Sequence, residues 1–454
     1  MSKKLNDAPL RVMELFAGVG GFRLGLEGNG SADYSRTGDF SVVWSSQFEP
    51  SSKKQHASNV YVAHWGSEGH SNEDIFSVVN DPEKFSAIAA AHPDVLVGGF
   101  PCQDYSVAKP ADQAAGLEGK KGVLWWSIHS ALRQLQEAEQ PVSYVILENV
   151  DRLLKSPTPC RGRDFAIILS SLAALGYAVE WRVVNAADYG WPQRRRRVFM
   201  IAYHRKTALY ARAEQACANA KAGAWIGAKG VIAGALPVCQ VPEDDMSVVR
   251  LGGDAFETQN SYVSEPNGAS KFQRAGLMVD GTVWTANVTT PEQIDFTRFV
   301  GFARAQTLGD VVAKTRDVPE GAYLSESSLG RWRHMKGAKS AVRVSHSGHE
   351  YKYSEGALPF PDALDRASRT VITGEGGNSA SRTKHVVADA TGRLRRLTAE
   401  ELEELNGFPR GFTRADGVSE VRRAFLMGNA LVVGIVRALG SSLIRACDQA
   451  AAKN

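Results

Sequence analysis

The chain has 454 residues, long enough for two or three domains and a sizeable buried core. With 43% hydrophobic and 22% charged residues it has the balance of a globular protein, which excludes fibrous and intrinsically disordered classes. The formal charge is only +4, so a polyanionic partner must be argued from where the charges lie, not from their sum.

The first two hundred residues alternate short apolar runs with longer mixed stretches. Leu10 to Phe16, Ser41 to Trp44, Asp94 to Val97, Tyr144 to Leu147 and Val198 to Tyr203 read as buried strands. Val123 to Glu137 and Asp164 to Leu175 read as helices, the second stopped at Gly176. This alternation predicts an α/β fold with a mostly parallel sheet, whose ligands sit at the carboxyl ends of the strands. From His204 to about Arg369 the text is rich in Gly, Ser and Ala without a clear period, and reads as a separate loop-rich domain. Within it, Arg331 to His349 carries Arg331, Arg333, Lys336, Lys339 and Arg343; such a run is a solvated face or a phosphate-binding one. Near the end, Thr398-Ala-Glu-Glu401 has capping-box spacing, and Ala430 to Ala446 reads as an amphipathic helix.

The residues just past each strand carry the chemistry. After the first comes Glu14-Leu-Phe-Ala-Gly18-Val-Gly20-Gly21-Phe22. Its glycines let backbone amides approach a ligand closely. Arg23 stands where a dinucleotide fingerprint wants a third small residue, so a nucleoside cofactor with a carboxylate suits the turn better. The second strand ends in Ser46-Gln47-Phe48-Glu49, which offers a polar grip for ribose hydroxyls and an aromatic to stack on adenine. Past the strand at Asp94 lies Gly98-Gly99-Phe100-Pro101-Cys102-Gln103, which would hold a thiol in a cleft. The Gly/Ala/Lys stretch after it, to Lys121, reads as a lid.

The strand at Tyr144 ends in Glu148-Asn149-Val150, and a carboxyl at the edge of an apolar strand is expected to bind its proton more tightly than usual. Then Gln193-Arg-Arg-Arg-Arg197 abuts a buried strand. Alternation puts Arg195 and Arg197 on one face and Arg194 and Arg196 on the other, and the inward pair needs polar partners. The five cysteines (Cys102, Cys160, Cys217, Cys239, Cys447) are odd in number and widely spaced. No disulfide framework or metal site is expected, and a reducing cytoplasm fits. No apolar run reaches the roughly 18 residues needed to cross a bilayer, and the first residues lack the apolar core of a signal peptide, so no membrane association is expected.

Taken in order, Phe16-Ala-Gly-Val-Gly-Gly21, Gly99-Phe-Pro-Cys-Gln103, Glu148-Asn-Val150, Gln193-Arg-Arg-Arg-Arg197, Arg396-Leu-Thr398 with Gly407-Phe-Pro409, and Gly428-Asn-Ala-Leu431 resemble the DNA cytosine-5 methyltransferase family. The resemblance implies a Rossmann-like, S-adenosylmethionine-dependent methyltransferase sheet over residues 1–203, completed by 425–454. It also implies a smaller loop-rich target-recognition domain with its hinge over 204–424. Cys102 would be the nucleophile toward carbon 6 of a flipped-out cytosine. Glu148, protonated, would meet N3 and the exocyclic amine, and Arg195 and Arg197 would hold the base carbonyl and the flanking backbone. For S-adenosylmethionine, and its product S-adenosylhomocysteine, the resemblance points to Phe16, Ala17, Gly18, Val19, Gly20 and Gly21 with Asp74, Ile75, Pro101, Leu124, Asn429 and Ala430.

The family's ribose-binding Glu falls at Gln47, with Phe48 stacking and Glu49 the alternative grip. The DNA contacts implied are Gln103, Ser106, Arg331, Arg333 and Lys336. The partner would be double-stranded DNA, met by a monomer serving a restriction-modification or phage-defence system beside a nuclease. Two other readings share these motifs: methylation of cytosine in transfer RNA, and a silent DNA-binding regulator. The target sequence is not readable from the chain.

Overall fold

The strand β1 (Leu10–Leu15) is fully apolar apart from Arg11 and Glu14, and its last four residues are buried. It sits inside a ten-stranded sheet of the computed structural model, which describes residues 8–31, 34–50, 52–100, 123–157, 159–344, 348 and 350–452. β2 (Phe40–Ser46), β3 (His70–Ser71), β4 (Val95–Gly99) and β5 (Tyr144–Val150) join β1 in the parallel order β3-β2-β1-β4-β5. β6 (Tyr177–Asn185) and β7 (Arg196–His204) then turn the sheet antiparallel. β8 (Ser247–Arg250), β9 (Ala275–Val279) and β10 (Thr282–Ala286) extend it in the order β7-β6-β9-β10-β8.

The expected mostly parallel sheet is therefore corrected to a mixed one, with four parallel and five antiparallel pairings among the described residues, and helices pack against it. The helix Val123–Glu137 buries Trp125, Ile128, Leu132 and Leu135, a stripe of helical period, and joins Phe165, Leu169, Leu147 and Met200 in one core. Elsewhere in the unit the helices Gly21–Leu26 and Val433–Ala451 pack at glycines. A Cβ on Gly25 would stand 2.8 Å from Val436, and one on Gly440 would stand 2.4 Å from Leu26.

The chain divides into two units, Met1–Asp188 with Arg196–Asp295 and Val433–Asn454, and Tyr189–Arg195 with Phe296–Val432. The expected boundary at Tyr203 is therefore corrected, because residues 204–295 belong with the sheet. β9 pairs with β6, and two buried charges on β6 bind the intervening segment. The Glu180 carboxylate accepts from the Tyr203 hydroxyl and, at 2.8 Å, from the Ile232 N–H; Arg182 donates to the carbonyls of Ile226 and, at 2.7 Å, Leu236. The expected return segment is also shortened, since the sheet unit takes it from Val433 and not from residue 425.

In the second unit, β11 (Lys339–Val344) and β12 (Glu350–Glu355) form one two-stranded sheet, and β13 (Val386–Ala388) and β14 (Leu394–Arg396) form another. The helix Ala399–Leu405 opens with the expected capping box. Thr398 Oγ accepts from Glu401 N–H at 3.2 Å, and Glu401 accepts from Thr398 N–H at 2.8 Å. By length and composition the stretch Glu420–Ala451 could cross a membrane, contrary to the expectation of no such run, and half of its most apolar window is buried inside the protein. Val433–Ala451 spends its apolar face, including Ile435, Leu439 and Leu443, on packing.

Candidate active site

The glycine turn closes the end of β1. Phe16 takes φ 54°, and Gly18 and Gly20 take 58° and 87°, a sequence of left-handed residues that only glycine adopts freely. Ala17 N–H donates to Ser46 O at 2.9 Å, and Gly18 N–H to the Gln47 side-chain oxygen at 2.7 Å, so the end of β2 holds the turn. Below it, a Cβ on Gly20 would run into the Trp65 ring at 2.2 Å, whereas among the described residues nothing lies within 4 Å of a Cβ on Gly18. Val19 is buried, and Gly21 starts the helix Gly21–Leu26.

The floor of this turn is a polar knot that the motifs do not reveal. Glu14 is fully buried at the end of β1. It accepts from the Tyr61 hydroxyl at 3.2 Å and from Arg23 N–H at 3.4 Å. Burial pushes its carboxyl up from 4.5 to about 7, against the opposing pull of Arg23 and these hydrogen bonds. The Arg23 guanidinium meets Glu27 at 3.0 Å and Tyr61 Oη at 3.2 Å, and lies 5.3 Å from the centre of the Trp65 ring. Arg23, which breaks the dinucleotide fingerprint, here ties the turn to the helix His56–Trp65.

Of the two ribose candidates, Gln47 faces the turn, whereas the Glu49 carboxylate accepts from Ala57 N–H at 3.0 Å and so caps that helix. Phe48 is 38% exposed between them. Asp74 caps the helix Ile75–Val79 by accepting from Phe76 N–H at 3.0 Å, and Ile75 is buried. Leu124 packs, half-buried, against the core.

At the next pair of strand ends, Gly99 on β4 stands beside Glu148 on β5, and a Cβ on Gly99 would lie 3.4 Å from a carboxylate oxygen. The Glu148 carboxyl is not isolated among apolar side chains. Arg197 Nε meets it at 2.8 Å, reaching over from β7, where Arg197 pairs with Val150. The neighbouring Asn149, to which the sequence assigned no role, donates from its buried amide to Phe100 O at 2.8 Å. It fixes the chain where β4 leads toward Pro101 and Cys102. Pro101, Cys102, Gln103 and Ser106 lie outside the described residues.

The arginine run alternates as its spacing predicts, with Arg194 and Arg196 exposed and Arg195 and Arg197 turned inward. The inward pair has different partners, however. Arg195 belongs to the second unit, where it donates to Val371 O and Gly428 O, each at 2.9 Å. Gln193 does likewise, bonding Leu405 O at 3.0 Å, Asn406 Oδ1 at 2.8 Å and Val371 N–H at 2.9 Å. Gln193 and Arg195 therefore knot the Gly407 and Gly428 motifs together, and the Arg195 guanidinium, expected to act on the base, donates to the backbone carbonyls of Val371 and Gly428.

Asn429, exposed, and Ala430, half-buried, end the helix Glu420–Asn429 in the same unit. Of the expected DNA contacts, Arg331 and Arg333 are exposed on the helix Glu326–Lys336. Lys336 is corrected. It is 1% exposed, donates to Lys384 O and lies 3.9 Å from Asp362, so it faces inward.

A family model described as C-5 cytosine-specific DNA methylase matches residues 10–445. The chain is 39% identical to Type II methyltransferase M.Sau3AI of Staphylococcus aureus, over 96% of this chain and 95% of that protein. It is 34% identical to Type II methyltransferase M.NgoBI of Neisseria gonorrhoeae, over 42% of this chain and 50% of that protein. Among solved structures, S. pombe Dnmt2 methyltransferase superposes with a TM-score of 0.53 at 16% identity, covering 96% of this chain and 98% of that one. The Entamoeba histolytica methyltransferase EhMeth gives 0.52 at 13%, over 96% and 98%. At those identities the likeness is one of fold: an α/β methyltransferase with a large central sheet.

Proposed function

The chain belongs to the C-5 cytosine-specific DNA methylases and is a DNA cytosine-5 methyltransferase; on that basis we propose that it works through a covalent Cys102 adduct with a cytosine flipped out of duplex DNA. The observation that carries this reading is the group at the ends of β4 and β5: Glu148 paired with Arg197 beside Gly99, and Asn149 holding Phe100 just ahead of Cys102. Cys102, as thiolate, attacks carbon 6 of the ring. Glu148 bonds the ring N3 and the exocyclic amine, and Arg197 turns from Glu148 toward the base carbonyl. Adding the thiolate makes carbon 5 nucleophilic toward the methyl group that the cofactor would supply; once carbon 5 carries it, loss of the carbon-5 proton to solvent and release of Cys102 restore the aromatic ring.

The family implies S-adenosylmethionine, and the residues present fit it. Among the described residues nothing fills the space at Gly18, the turn is closed beneath Gly20, Gln47 bonds the Gly18 amide, and Phe48, next in the chain, is exposed. Bound there, S-adenosylmethionine supplies the methyl group. Phe16 to Gly21 would line it, with Gln47 gripping the ribose, Phe48 stacking, and Asp74 and Ile75 toward the adenine. Pro101, Leu124, Asn429 and Ala430 complete the set by the resemblance.

Residues 296–432 supply target recognition. The Staphylococcus aureus relative is named a Type II methyltransferase, which supports a restriction-modification role; work in the cytoplasm beside a nuclease, or in phage defence, extends that reading. In the test, purified protein is given duplex DNA containing 5-fluorocytosine, and S-adenosylmethionine binding is measured alongside. Wild type should be trapped covalently. Cys102→Ala should lose trapping and turnover while binding the cofactor as before. Undiminished methylation by that variant, or transfer to transfer RNA alone, would overturn the reading.

A further inference from the structure

The β11–β12 ribbon pairs with no other described strand. A lone two-stranded ribbon is marginal in water unless something supports it. Support comes at its base and on one face. Arg382 pairs with Glu355 at 3.0 Å and donates to Gly337 O at 2.8 Å and to Gly356 O, clamping both ends of the hairpin. Lys339, Tyr353 and Glu355, which alternate onto that side, are half-buried.

The other face is different. The register sets Ser340 opposite Ser354, Val342 opposite Lys352 and Val344 opposite Glu350, so these six side chains share one surface. All six are exposed, with Val342 at 69% and Val344 at 63%. The opposite side is thus held near its base, at Lys339, Tyr353 and Glu355, with Ala341 farther along exposed, and two valines, two hydroxyls, an ammonium and a carboxylate face outward together.

Charge decides what this array meets. The chain from Arg331 to Arg343 contains no acid, and Arg331, Arg333 and His334 are exposed on the helix that leads into the ribbon. A polyanion complements that helix. The major groove of duplex DNA admits a two-stranded ribbon, and its base edges offer the thymine methyl, amino donors and carbonyl acceptors that such an array can read.

We propose that the outward face of the β11–β12 ribbon reads base edges in the major groove of the target duplex, with Val342 and Val344 against thymine methyl groups and Lys352, Ser340 and Ser354 bonding polar edges. This rests on the reading of the chain as a duplex-DNA methyltransferase. Phosphate contacts from Arg331 and Arg333 position the ribbon, and the ribbon selects the sequence.

The test removes only the methyl group. Each thymine of the methylated site is replaced by uracil, and kcat/KM is compared for wild type and for V342S/V344S. For wild type, at least one replacement should cost about fourfold or more, the worth of one buried methyl. The double variant should be weaker on the natural site and indifferent to uracil. Lys352→Ala, measured in parallel on duplexes carrying each single base-pair change, should relax the preference at one position.

Equal sensitivity to uracil in both proteins, or none in wild type, overturns the proposal. A wild-type dimer that V342S/V344S splits, with sequence preference unchanged, also overturns it and makes the face an interface between copies. If wild type methylates no duplex at all, the parent reading falls with it, an outcome distinct from active wild type with an indifferent ribbon.

Discussion

At the strand ends of the sheet unit, each polar group near the proposed chemistry is held by a second one. Glu148 is held by Arg197, the Phe100 carbonyl by Asn149, the Gly18 amide by Gln47, and Glu14 by Tyr61 and the Arg23 amide. On the ribbon of the second unit, the outward residues Ser340, Val342, Val344, Glu350, Lys352 and Ser354 are exposed, and the opposite side is clamped near its base by Arg382. Bond-making to one ring needs atoms placed to within fractions of an ångström, and buried mutual partners supply that placement. Choosing among sequences needs groups that can be exchanged without refolding the unit, and a face anchored only from behind supplies those. Damage to the first region should therefore appear in kcat or stability, and damage to the second in sequence preference.

The largest expected effect comes from Arg197→Ala. Removing a guanidinium aimed at developing charge should lower kcat by about a hundredfold or more, with the methylated sequence unchanged. Single-turnover kinetics on the same duplex check it. A shift in sequence preference would blur the distinction between the two regions.

Next is the pH dependence that Glu14 imposes. Its carboxyl titrates near 7 in the folded protein and near 4.5 ordinarily. The protonated form is thus favoured by folding, and its contribution is complete below 4.5 and lost as pH rises through about 7. The amount is on the order of 3 kcal/mol. Burial of His70 and His129 acts in the opposite sense, because it brings each imidazole down to about 4 and adds stability as pH climbs from 4 to 6.5. The informative quantity is therefore the difference in denaturant stability between wild type and Glu14→Gln. It should fall in favour of the variant across pH 4.5 to 7. A difference independent of pH would mean that Glu14 is not buried as an acid.

What the sequence disclosed and what it hid divide along a physical line. The ends of β1, β4 and β5 are legible because glycines and short apolar runs must recur where a backbone turns tightly after a buried strand. The alternation of Arg194 to Arg197 is legible because a strand has period two. Which inward arginine meets Glu148 is not, since that depends on β7 running antiparallel to β5, a non-local pairing. β6 escapes a pattern reading because Glu180 and Arg182 interrupt its apolar run, and both are buried against partners from residues 203–236. The knot of Glu14, Arg23 and Tyr61 is invisible for the same reason, as its members are brought together only by folding. Lys336 misleads because a lysine within a basic run reads as exposed until Asp362 and the Lys384 carbonyl are seen beside it.

The smallest expected effect tests the outer edge of the comparison. Arg331 and Arg333 are exposed and sit ahead of the ribbon. If they neutralise phosphates, each releases about one counterion on binding, so R331A/R333A should reduce the slope of log affinity against log salt by roughly two. Over a fourfold rise in salt that corresponds to an affinity change of about tenfold. The loss should be uniform across cognate and non-cognate duplexes, since a phosphate carries no base identity. Fluorescence anisotropy titrations at several salt concentrations measure both quantities. Should the slope fall and the preference change together, the helix would be reading bases as well as charge, and the boundary between positioning and selection would have to move from the ribbon onto the helix Glu326–Lys336.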